Sequence, residues 1–281
     1  MLPAIERLLE DGHELMGVFS FEVDNIFNFN TRTQALAQSK NVPFILSAVE
    51  DFHMNGLIDK GTDVFLSAGY PRKIPPIDEE RAEDRPVYCI NVHPTFLPKA
   101  RGLMPIPRII MDNIDGAAGF TAHKITEKFD AGDILLQEKF SLSPRETVES
   151  YTAKIAIRAP EMFSKLMSDL PSLWENAMPQ NEALSTTLRA PDNEERVFNW
   201  ETDVENIDRI GRAFGCFGSL AHFDEQLWVV YHYDFWKENH DLPPGTVAAR
   251  LSREITIAAK NGFVCLKNFQ AVEPEANLSP A

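Results

Sequence analysis

Asn91 and His93 stand two residues apart at the end of the apolar run VYCINVH (87–93). In a strand, residues i and i+2 point to the same face. An amide and an imidazole on one face can both donate to a single developing oxyanion. Pro94 and Pro98 then end the ladder and set the loop HPTFLPKARG on a course of its own. Taken alone, the pair also reads as ordinary hydrogen-bonding residues at a strand end. A second segment, GFTAHKITEKFDAGDILLQ (119–137), adds Asp130 on a glycine-bearing loop. A carboxylate beside His93 favours the imidazolium and raises its pKa. Gly132 lets the backbone come close to a ligand. Asp133 is expected to hold the 130–134 turn, and Gly102 to support the loop after Pro98. His123 reads equally as a pocket residue or as an ordinary strand residue.

These residues need a scaffold that brings two distant segments together. Short apolar runs at 13–21, 42–47, 63–69, 87–93, 119–125 and 134–142 read as strands. Helical patterns at 4–11, 31–40, 106–113 and 143–170 are interspersed, with Pro160 expected to kink or divide the last. The alternation predicts an α/β fold, a doubly wound, mostly parallel sheet. In such sheets ligands bind beyond the carboxyl ends of the strands, where Asn91 and His93 lie. Residues 178–196 are polar, proline-bearing and aperiodic, as a linker would be. Beyond them come a helix at 204–214 and strands at 218–222, 226–235, 254–259 and 263–268, with turns at PPGT and KNG. This predicts a small β-barrel-like second domain. The expected boundaries are 1–177 for the catalytic domain, 178–196 for the linker, 197–272 for the barrel and 273–281 for a tail.

The 281 residues carry a formal charge of −15. Nucleic-acid affinity rests largely on Lys and Arg, so this charge argues against a tRNA partner. Residues 178–281 hold 9 Lys+Arg against 16 Asp+Glu, a formal charge of −7. No apolar run is long enough to span a bilayer, and the start lacks a signal-peptide pattern. Three scattered cysteines without ligand spacing fit a reducing cytoplasm and no metal site. His13, His53, His222, His232 and His240 show no ligand spacing either. The run LWVVYHYDFW (227–236) alternates like a half-buried strand rather than a base-stacking platform.

NVHPTFLPKARG, followed by Pro105 and Pro107, then GFTAH and FDAGDILLQ, resembles the folate-dependent formyltransferases. VFNWETDVENIDRIGRAF, PPGTV and KNGFVCLKNFQ resemble the C-terminal barrel domain of methionyl-tRNA formyltransferase and its relatives. The resemblance implies Asn91, His93 and Asp130 as the catalytic trio. It also implies 10-formyltetrahydrofolate as co-substrate, held by the backbone of Ala131, Gly132, Asp133 and Ile134. Gly102 and His123 would then line the substrate side. Thr95 stands where a Ser is usual and keeps the hydroxyl. The implied reaction is formyl transfer to a primary amine of a small molecule, an amino sugar nucleotide or a biosynthetic amine. Methionyl-tRNA as acceptor and hydrolysis of the formyl donor remain alternatives. Relatives open with a strand and a glycine turn, whereas this chain starts at the helix that follows. Either more chain precedes Met1, which is the expectation here, or the chain is a truncated folate-binding relic.

Overall fold

A computed structural model describes residues 2–22, 29–77, 85–114 and 116–272. The expected tail, 273–281, lies outside the described residues. The chain divides into two units. The first comprises Met1–Pro105, Asp115–Ser141 and Ala153–Arg189; the second comprises Ile106–Ile114, Leu142–Thr152 and Ala190–Ala281.

In chain order the elements are α1 (Leu2–Glu10), β1 (Val18–Phe19), α2 (Phe29–Ser39), β2 (Phe44–Ile45), α3 (Asp51–Ile58), β3 (Val64–Ala68) and β4 (Tyr88–His93). Then come α4 (Pro105–Met111), β5 (Gly119–Lys124), β6 (Ile134–Lys139), α5 (Val148–Ser168), α6 (Leu170–Glu175) and α7 (Val204–Phe214). The chain continues as β7 (Ser219–Phe223), β8 (Gln226–Lys237), β9 (Val247–Arg250), β10 (Ile255–Ala259) and β11 (Gly262–Ala271).

The first unit is α/β, but its sheet is mixed rather than mostly parallel. Four strands run in the order β3-β4-β5-β6. β3 and β4 are parallel, whereas β4–β5 and β5–β6 are antiparallel. The physical reason is the short chain between β5 and β6: residues 125–133 form a loop with no crossover helix, and a parallel pair needs such a crossover. A separate two-stranded parallel sheet joins β1 to β2. Of the expected strand at 13–21, only Val18 and Phe19 pair, opposite Phe44 and Ile45.

Alternation along the central strands separates core from site. Ile90 and Val92 of β4 and Phe120 and Ala122 of β5 pack with Ala159, Met162, Phe163 and Leu166 of α5 in one buried cluster. Asn91, His93, Thr121 and His123 take the opposite face. α5 continues through Pro160 and is not divided there. Pro160 lacks the amide for one helical bond, but the helix face around it is anchored in the core on both sides, at Ala159 and at Met162 and Phe163. Cys89, buried against Val49 and Met54, has its thiol pushed up to about 12 by burial and is chemically quiet.

The second unit holds a five-stranded antiparallel sheet in the order β7-β8-β11-β10-β9. Among the described residues its pairings leave β7 and β9 as edges and do not close a barrel. Its core gathers Phe198, Trp200, Ile207, Ile257, Val264 and Leu266.

Candidate active site

The site forms within the first unit where β4 and the β5–β6 loop meet. Pairing sets Asn91 opposite His123, and His93 opposite Thr121. Thr121 braces the loop after β4: its hydroxyl donates to the Thr95 carbonyl at 2.7 Å and accepts from the Leu97 N–H at 3.1 Å. The Thr95 hydroxyl closes the same loop on the Lys99 carbonyl at 2.9 Å. The loop then carries Ala100 at φ 59° and Gly102 at φ 108°. Gly102 is required twice over, since a Cβ there would also lie 2.3 Å from the Leu188 carbonyl oxygen.

Asp130 enters from the other side. The Ile125 N–H pairs with the Cys89 carbonyl and the Lys124 N–H with the Asp133 carbonyl, so the loop doubles back over β4. Gly132 permits this, because a Cβ would fall 1.9 Å from the Lys124 carbonyl oxygen. Asp130 itself is left-handed at φ 52°, a conformation Asp tolerates better than most residues. Its carboxylate then meets three side chains and one backbone group. Asn91 Nδ2 donates to Oδ1 at 3.2 Å, and the Gly102 N–H donates to Oδ2 at 2.9 Å. His93 Nδ1 lies 3.4 Å and His123 Nε2 3.6 Å from Oδ1. His93, His123 and Asp130 are 5%, 2% and 9% exposed, so these contacts are shielded from water.

The network fixes which atoms carry hydrogen. His123 Nδ1 lies 2.8 Å from the Lys124 carbonyl and therefore donates; its Nε2 accepts from Asn91 Nδ2 at 3.1 Å. Asn91 thus directs both amide hydrogens inward, one to His123 and one to Asp130. The reverse orientation would press its oxygen against a carboxylate. His93 Nε2 donates to the Ala100 carbonyl at 2.9 Å, while Nδ1 faces Asp130. Only the imidazolium satisfies both neighbours.

Burial opposes that charge. It lowers the His93 pKa below the ordinary value, more than Asp130 and the Ala100 carbonyl raise it. The expected upward shift is therefore corrected: the carboxylate is in place, but desolvation of the ring is larger. Burial alone would raise the Asp130 carboxyl; its polar neighbours, among them His93 and the Gly102 N–H, outweigh it and hold Asp130 below the usual carboxylate range. The site therefore pairs a firmly ionised acid with an imidazole close to neutrality, an arrangement able to pass a proton.

Of the loop residues, Ala131 and Asp133 are half-buried and Gly132 and Ile134 are buried, with the Asp133 carboxylate 3.7 Å from Lys124 Nζ. The carbonyls of Asp130, Gly132, Asp133 and Ile134 already accept bonds from within the protein. A ligand bonding to this loop meets their second lone pairs and the amides of 131–133.

Two participants escaped the sequence reading. The Arg101 side chain is buried, and Gln180 lies in the stretch read as linker. That stretch is fastened down: Met178 pairs with Ile134, and Thr187 bridges to Arg101. Arg101 sits inside PKARG and could have been flagged as a charge in a glycine-bearing loop; Gln180 carried no sequence signal.

Residues 47–167 match the Formyl transferase family model. A methionyl-tRNA formyltransferase of Idiomarina loihiensis is 25% identical over 99% of this chain and 90% of its own length. Among solved structures, HypX from Aquifex aeolicus in complex with tetrahydrofolic acid superposes with a TM-score of 0.71 at 18% identity, over 94% of this chain. This chain spans less than half of HypX, 45%. An N-formyltransferase from Helicobacter canadensis, in complex with folinic acid and dTDP-3-aminofucose, gives 0.60 at 15% identity, over 96% of this chain and 94% of that one. At such identities the structural likenesses speak to fold. The family match over 47–167 and the relative aligned along the whole chain support a place among the formyltransferases, and the folate-bound structures share its fold. It is a formyl-transferring enzyme.

Proposed function

We propose that this enzyme moves a formyl group from 10-formyltetrahydrofolate to a primary amine of a small molecule, with Asn91, His93 and Asp130 as its catalytic residues. The observation that supports this reading is the convergence of an amide, an imidazole and a carboxylate, from two segments 39 residues apart in sequence, on one shielded point. The formyl donor supplies an activated one-carbon carbonyl. Fit to such a donor rests on the chemistry of the residues present: hydrogen-bond donors for a carbonyl oxygen, and the backbone amides of the 131–133 loop for a polar ring. Ala131, Gly132, Asp133 and Ile134 would hold that ring through their backbone, with Gly102 and His123 on the acceptor side.

As negative charge grows on the carbonyl oxygen, that oxygen competes with Ala100 for the His93 Nε2 hydrogen. It competes with His123 for one Asn91 hydrogen. Asp130 stabilises positive charge on His93 and receives the proton shed by the amine, directly or through water; as the bond between the formyl carbon and the folate N10 breaks, that proton is returned to N10 and tetrahydrofolate leaves. Within this reading residues 1–177 form the catalytic domain. The β-rich 197–272 region is a C-terminal domain of barrel type. The acidic charge favours an amino sugar nucleotide or another biosynthetic amine over tRNA, and the Helicobacter relative's sugar ligand points the same way. The curated relative named for methionyl-tRNA supports the second reading.

The test is to incubate the full chain with 10-formyltetrahydrofolate and a panel comprising amino sugar nucleotides, biosynthetic amines, methionyl-tRNA and no amine. Formylation of a small amine that is lost in Asn91→Ala is the expected result. Formylation of methionyl-tRNA alone would transfer the assignment to tRNA. Donor loss at the same rate without any amine would make the enzyme a hydrolase.

A further inference from the structure

Asp130 holds a left-handed backbone conformation, and its loop has no regular secondary structure between Lys124 and Ile134. Something must fix where its carboxylate points. Gln180 bonds to the backbone on both sides of this turn. Its Nε2 donates to the Asp130 carbonyl and to the Gly132 carbonyl, each at 2.8 Å. Its Oε1 accepts from Arg101 Nε at 3.1 Å and Arg101 Nη2 at 2.8 Å. Every polar atom of the amide is engaged, and the guanidinium on one side dictates which end carries nitrogen. Arg101 is itself braced by a bidentate pair with Glu182, at 2.8 and 3.1 Å. Its backbone is clamped as well, with its N–H on the Thr186 carbonyl and its carbonyl receiving the Leu188 N–H. The next residue, Gly102, supplies the N–H that holds Asp130 Oδ2. One guanidinium–amide pair therefore links both backbone segments that aim this carboxylate.

We propose that Gln180 is a positioning residue for formyl transfer: locked by Arg101, its amide sets the 130–132 backbone so that the Asp130 carboxylate stays against His93 and Asn91. This rests on the transfer reading given above. Gln180 touches none of the proposed reacting groups; it acts on them through the loop. Its neighbour Met178, paired with Ile134, would hold the strap in place without it, so loss of the amide leaves the strap but frees the loop.

The experiment uses the full chain with Gln180→Met, which keeps the length without the amide, and Gln180→Glu, which keeps the Arg101 contacts but sets oxygen against two carbonyls. With the primary amine that the wild-type chain formylates as acceptor, both variants should lose roughly 10- to 100-fold in kcat, with the acceptor KM changed less than about threefold, as expected for a small misplacement near the chemistry. In ligand-free protein, ¹⁵N NMR of the His93 ring should show its titration midpoint moving to lower pH in Gln180→Met, because the Asp130 charge recedes. A folded Gln180→Met protein with unchanged kcat and an unchanged His93 titration would overturn the proposal. Should Gln180→Met fail to fold, an unchanged kcat in Gln180→Glu overturns it equally. If the wild-type chain transfers formyl to no amine, a lowered His93 midpoint in Gln180→Met upholds the clamp and removes only the reaction assigned to it.

Discussion

Asn91 and Asp130 are each bound to the other's neighbours, so deleting either leaves buried polar groups without partners. Asn91→Ala and Asp130→Asn should each lower kcat for formyl transfer by about 10²–10³-fold, the usual effect of losing one donor or charge at a developing oxyanion. Steady-state rates at saturating donor would show this. His93 leads to a different expectation. Its pKa is depressed by burial, so as pH falls below about 6.5 the unfolded chain binds a proton that the folded chain resists. Stability should therefore fall on acidification through the region below pH 6.5, with a slope of at most about 1.4 kcal/mol per pH unit from this group. Urea unfolding at pH 5.5 and 7.5 should show a smaller loss in His93→Asn than in wild type. The types and spacing of Asn91, His93 and Asp130 were legible because strand alternation is a local property. The sign of the His93 shift was not, since desolvation depends on what packs over the ring. Gln180 was invisible for a related reason: its partners lie 48 to 79 residues away in sequence.

At the level of elements, the β5–β6 loop is the part least tolerant of change. Gly132→Ala would drive a methyl group into the Lys124 carbonyl. It should destabilise by more than about 1 kcal/mol and reduce activity further than stability, read as a lower urea midpoint alongside a larger fall in kcat. Phe163 on α5 is fully buried against the sheet, and Phe163→Ala should cost about 3–5 kcal/mol in the same assay. Strands β3 to β6 and helices α1, α2, α4 and α7 were readable from periodicity. α3 was not, because DFHMNGLI mixes polar and apolar residues without a clear face and contains Gly56. β9, only four residues long and mostly exposed, offered too little pattern. The antiparallel course of β5 and β6 follows from loop length, a cue present in the sequence but overshadowed by the expectation of crossover helices.

Across the whole molecule, two separate sheets were anticipated, but not how the first would mix its directions or that the second would leave edges. Pairing order is decided by long-range contacts that composition does not encode. Net charge is the whole-molecule property with the most direct consequence for the acceptor. If the small-amine reading holds, kcat/KM should change less than about threefold between 50 and 200 mM salt. A tRNA acceptor held by several phosphate contacts would lose orders of magnitude over the same range. No helix among the described residues is long and apolar enough to cross a membrane.

The inward-turned Asn91 side chain makes the centre vulnerable to a very small lesion. Hydrolysis of that amide to an acid, by ageing or by mutation, would exchange a donor for a second carboxyl pressed against Asp130. The two acids would trap one proton between them. The protein would fall silent, and because the trapped proton cancels the added charge, only a slight gain in mass would betray the damage.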